Sequence, residues 1–73
     1  MIYSRHFFEM LKEREIKIEW VELCLSYPDK TDYHKNGTVH YLKVIEAFGN
    51  RILRVIVNNQ FDPPKIITAS IEG

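Results

Sequence analysis

Tyr41, Lys43 and Arg54 are the residues of this chain best suited to act on an anion. The planar guanidinium of Arg54 can hold two phosphate oxygens at once, whereas Lys43 would add a compact second charge. Tyr41 brings a flat ring and a hydroxyl. Three histidines accompany them, and His6 is the one expected to matter: its ordinary titration range would let it act as acid or base. Equally, it could hydrogen-bond to the sheet or the second helix and join two layers.

Other chemistries find little support. The histidines do not recur at ligand spacing within one element, and no second thiol or acidic cluster joins them, so no metal site is expected. No cofactor is expected either, since glycine-rich phosphate loops, nucleophile elbows and paired-carboxylate motifs are missing from the sequence. Cys24 lies on an apolar helical stripe and reads as a small buried hydrophobe. His34 and His40 fall on or beside edge strands and read as surface residues.

Ten basic and ten acidic residues cancel to a net charge of zero. A strongly basic nucleic-acid binder is therefore excluded, and any anion site must be a local patch. With 73 residues, 45% of them hydrophobic, residues 1–73 are expected to form one small α+β domain. A single cysteine, with no apolar run near the roughly 20 residues that span a bilayer, points to a reducing cytoplasm and no membrane.

The elements that must position these groups follow from periodicity. Ser4 is a candidate N-cap for a helix over residues 5–14, with Phe7, Phe8 and Leu11 at helical spacing. A second helix is expected over residues 17–27, ending at Pro28, with Ile18, Val21, Cys24 and Leu25 on its inner stripe. Four strands then follow in a meander. The first lies near residues 30–34 before the Asn36-Gly37 turn, and the next two span residues 38–48 and 51–58. The last covers residues 65–71, with Ile67, Ala69 and Ile71 toward the core. Two N-terminal helices would then cover one face of a three- to four-stranded antiparallel sheet.

Gly49-Asn50 suits a tight two-residue turn, which would set Phe48 opposite Arg51. Alternation then puts Leu42, Val44, Phe48, Leu53, Val55 and Val57 on the core face. Tyr41, Lys43, Ile45, Arg54, Ile56 and Asn58 fall on the open face, with Thr68 and Ser70 beside them. On this register Lys43 opposes Ile56 and Arg54 opposes Ile45, so the two cations are diagonal neighbours.

The run His6-Phe7-Phe8-Glu9-Met10-Leu11-Lys12-Glu13-Arg14-Glu15-Ile16 is followed by Val21, Leu25, Tyr27-Pro28-Asp29, Gly37 and Tyr41. Leu53-Arg54-Val55-Ile56-Val57 and Lys65-Ile66-Ile67-Thr68 come after it. Together they resemble a family of small uncharacterised prokaryotic domains distantly related to the RelE and BrnT ribonuclease toxins. Met10 stands where that family usually has Arg, and Glu15 where it has the Gly that ends the helix in a left-handed cap. The resemblance implies metal-independent RNA cleavage on the sheet surface by basic and aromatic residues; Arg54, Lys43 and Tyr41 are candidate catalytic residues by their location on the open face, and His6 by standing where that family also has a histidine. Arg54 and Lys43 would meet phosphate charge, and Tyr41 would stack on a base or give a proton.

A different reading starts from Trp20, Leu23 and Tyr27, which line the second helix beside its core stripe. Aromatic surface of this kind marks protein interfaces. On that reading the chain is a non-catalytic interaction module that pairs with a second copy or with an antitoxin-like protein.

Overall fold

A computed structural model describes residues 3–72. Helices α1 (Arg5–Glu13) and α2 (Ile18–Ser26) precede strands β1 (Lys30–Tyr33), β2 (Thr38–Ile45), β3 (Arg51–Asn58) and β4 (Lys65–Glu72). All strands pair antiparallel in the order β1-β2-β3-β4, so the expected α+β meander is formed.

The Ser4 hydroxyl accepts a hydrogen bond from the Phe7 amide at 3.1 Å, satisfying one of the unpaired donors at the start of α1. At its other end Glu15 takes the left-handed φ of 57° that a glycine would adopt more easily. The Ile16 amide reaches back to the Leu11 carbonyl at 2.9 Å, and the Glu15 amide reaches the Lys12 carbonyl at 3.2 Å. This is a Schellman cap, and burial of both Leu11 and Ile16 supplies its hydrophobic contact. The cap therefore survives the loss of glycine.

One core joins the helices to the sheet. Phe7, Leu11, Ile16, Val21 and Cys24 pack on Ile45, Leu53, Val55, Val57, Ile66 and Ala69. Leu53, Val55 and Val57 are completely buried, each worth about 1.5–3 kcal/mol of apolar transfer.

The hairpin departs from expectation at its turn. Strand β2 ends at Ile45, a 3-10 turn covers Glu46–Phe48, and Gly49 and Asn50 both take left-handed φ values, 72° and 59°. Arg51 consequently opposes Ile45, not Phe48. Five residues connect the strands where two were expected. Phe48 leaves the sheet to pack on Trp20, with ring centroids 4.8 Å apart, and Ile45 takes a buried core position. The longer connection lets the half-buried Phe48 ring pack on Trp20 while Ile45 enters the core, contacts that a two-residue turn would not allow on this register.

The change in register is odd, so every side chain of β2 switches face relative to β3. Val39, Tyr41, Lys43 and Ile45 pair with Val57, Val55, Leu53 and Arg51 on the helix side. Leu42 and Val44, expected in the core, lie on the open face opposite Arg54 and Ile52. A second correction concerns β4, where the ladder shifts between Ile56 and Val57 and leaves Ile67 as the extra residue. Ile66 and Ala69 are thereby buried while Ile67 stays 48% exposed.

Candidate nucleic-acid interface on the open sheet face

Arg54 sits near the centre of the open face because its neighbours Leu53 and Val55 are committed to the core. Register places Ser70 of β4 directly opposite it and Glu72 diagonal to it; on the other side Leu42 of β2 is opposite and His40 diagonal. The guanidinium bridges these strands. Its Nε donates to Glu72 Oε1 at 2.5 Å and Nη2 to Glu72 Oε2 at 3.4 Å, while Nη1 donates to His40 Nδ1 at 2.8 Å. Two of the five guanidinium N–H donors are left over.

His40 is held on two sides. Its ring stacks on His34, which follows β1, at 3.9 Å between centroids and 27° between planes. Because Arg54 can only donate, His40 Nδ1 must accept, which assigns the neutral tautomer with its proton on Nε2. Desolvation, His34 and Arg54 all push the His40 pKa below its ordinary value, while Asp32 and Glu72 pull the other way. The result is a fixed imidazole that presents Nε2–H as a donor. Around the cluster Leu42, Val44, Ile52 and Ile56 form an apolar rim, of which Val44 is 43% exposed. Among the described residues no group of three or more His, Cys, Asp or Glu side chains is arranged to hold a metal.

The residues nominated from sequence are not brought together. Lys43 lies beneath the helices, where its Nζ donates to the Tyr27 carbonyl at 2.8 Å, at the C-terminal end of α2, with Asp29 at 3.7 Å. There it neutralises the negative end of the helix. Asp29 in turn accepts from the Val44 amide at 2.8 Å, and its own amide donates to the Leu42 carbonyl. Tyr41 packs against the core from the same side. His6 is exposed on α1, in the opposite layer from Arg54.

His34, His40 and Glu72 were not nominated as site residues. A recoverable signal existed, because His40, Leu42 and Val44 share parity with Arg54 whenever the hairpin connection has an odd number of residues. Cys24 is the core residue expected, its thiol directed at the Tyr41 and Leu53 carbonyls and burial pushing its pKa up to about 11. The Trp20, Leu23 and Tyr27 stripe divides: Trp20 packs inward on Phe48, whereas Leu23 and Tyr27 are 44% and 70% exposed.

The profile of a domain of unknown function, DUF4258, matches residues 3–71, which include both helices and nearly the whole sheet. The chain belongs to the DUF4258 family. No curated protein and no solved structure matches it. Among the described residues of this DUF4258 domain, no helix is long and apolar enough to cross a membrane.

Proposed function

We propose that this DUF4258 domain binds RNA on its open sheet face and cleaves it without a metal, as the likeness to RelE and BrnT toxins implies. The supporting observation is the linked donor pair of Arg54 and His40, aligned by their 2.8 Å contact on an uncovered face. Arg54, once a phosphate takes the place of Glu72 on its fork, and His40 Nε2–H would each donate to a phosphate oxygen and meet the charge that builds on it during attack. His34, stacked at the rim, is the group free to take the 2′-hydroxyl proton. The 2′-oxygen then bonds to phosphorus, the bond from phosphorus to the 5′-oxygen breaks, and that oxygen takes a proton from solvent. Lys43, Tyr41 and His6 have no part in this reading, because they lie in or under the helical layer.

Incubation of wild type, Arg54→Ala and His40→Ala with single-stranded RNA tests the proposal. Cleavage by wild type, leaving 2′,3′-cyclic phosphate ends, should fall in both variants by roughly 10²-fold or more, the usual effect of losing a preorganised donor. Equal cleavage by all three, or none by wild type, rejects catalysis here.

The exposure of Leu23 and Tyr27 favours a second reading, a protein-interaction surface on α2 that takes a second copy or an antitoxin-like partner. Sedimentation over a range of concentrations tests the homodimer: association lost in Leu23→Glu supports it, and a monomer at every concentration excludes it.

A further inference from the structure

The contact between Arg54 and Glu72 has the two-oxygen form in which a guanidinium also holds phosphate. A carboxylate and a phosphate both present two oxygens in a plane, and the guanidinium recognises either through a pair of parallel N–H bonds. Here Nε and Nη2, a matched donor pair, are both spent on the two oxygens of Glu72. Glu72 is the last described residue of β4, the edge strand, and its side chain is 43% exposed against 24% for Arg54. The carboxylate is thus the more solvent-exposed partner of the pair and occupies the fork of the cation. His40 holds the remaining flank of Arg54, so release of Glu72 would free a donor pair already fixed in direction.

We infer that Glu72 is an autoinhibitory stand-in for phosphate: its carboxylate masks the Arg54 fork, and a phosphodiester binds by displacing it. This rests on the reading of the open face as an RNA-binding surface and adds what regulates access to it. Removing the carboxylate while keeping the side chain's shape should expose the fork, because a neutral amide competes weakly for a guanidinium.

The test is equilibrium binding of a fluorescein-labelled single-stranded oligouridine at low salt to wild type, Glu72→Gln, Arg54→Ala and the double variant. Glu13→Gln, on the exposed side of α1, serves as a control for net charge. A mask predicts about tenfold tighter binding by Glu72→Gln, the worth of about one charge-assisted hydrogen bond. The gain should be absent from Glu13→Gln and should disappear when Arg54 is also removed. Equal affinity of wild type and Glu72→Gln, with weaker binding by Arg54→Ala, overturns the mask and leaves the RNA surface standing. The same gain in the Arg54→Ala background overturns it too, since the effect would then be one of overall charge. No binding by wild type or Glu72→Gln overturns both readings.

Discussion

Replacing Lys43 with methionine separates the two faces of the sheet more cleanly than any other change. The substitution keeps most of the apolar stem, which lies against the helical layer with the side chain only 18% exposed, and removes the ammonium. What is lost is a 2.8 Å charge-assisted hydrogen bond to the Tyr27 carbonyl at the end of α2 and a longer ion pair with Asp29. A cation at a partly buried helix C-terminus is worth up to about 2 kcal/mol. The Asp29 pair adds little, since that carboxylate is 55% exposed and screened by solvent. Lys43→Met should therefore cost about 1–2 kcal/mol, a fall in Tm of roughly 4–16 °C for a domain of this size. Urea unfolding followed by Trp20 fluorescence measures it, with an unchanged m-value showing that the folded state is otherwise intact. RNA affinity at low salt should fall no more than for an exposed lysine of α1 such as Lys12. Wild-type stability in Lys43→Met, or a loss of RNA binding equal to that of Arg54→Ala, would refute the placement of Lys43 beneath the helices.

Four further outcomes follow from the same geometry. Glu15→Gly should stabilise the domain by about 1 kcal/mol in chemical denaturation, because glycine meets the φ of 57° without the left-handed penalty; a destabilised variant would mean that the cap is not strained. Leu53→Ala, at a fully buried position, should cost about 3–5 kcal/mol by urea titration. That is much of the roughly 4–11 kcal/mol a domain of this size possesses, and a cost below 1 kcal/mol would contradict the core assignment. Cys24 should resist iodoacetamide at pH 8 in the folded protein and react once urea unfolds it, its pKa being pushed up to about 11 by burial; rapid labelling of the native state would disprove burial. His40 titrates below its ordinary value of about 6.5, so the stability it contributes is complete above that pH and is lost as pH falls through the lower folded value. Thermal melts between pH 8 and 5 should show this decline, and His40→Gln, which keeps an acceptor for Arg54, should flatten it.

Architecture was legible because it rests on local rules. Ser4 caps α1, Pro28 follows α2, and Asn36-Gly37 joins β1 to β2 as those residue types require. The inner stripe of α2 held for the same reason, with Val21 and Cys24 completely buried. Glu15 shows the limit of reading a single position: a buried Leu11 and Ile16 impose a left-handed cap on a residue that disfavours it. Ile67 shows another, since a bulge in β4 is invisible to strict alternation.

The sequence by itself determined the order of elements and the meander, and it nominated Arg54 and Lys43 together as cations of the open face, of which only Arg54 lies there. Only the tertiary structure decided what surrounds Arg54. Gly49-Asn50 permits a two-residue turn, but the packing of Phe48 on Trp20 draws three more residues into the connection. An odd shift exchanges the faces of β2, sending Tyr41 and Lys43 under the helices and bringing His40 to Arg54. Strand parity is a local property of each strand, whereas the register between strands goes with packing against a distant helix, Phe48 on Trp20 and Ile45 in the core, and the candidate site depends on the second.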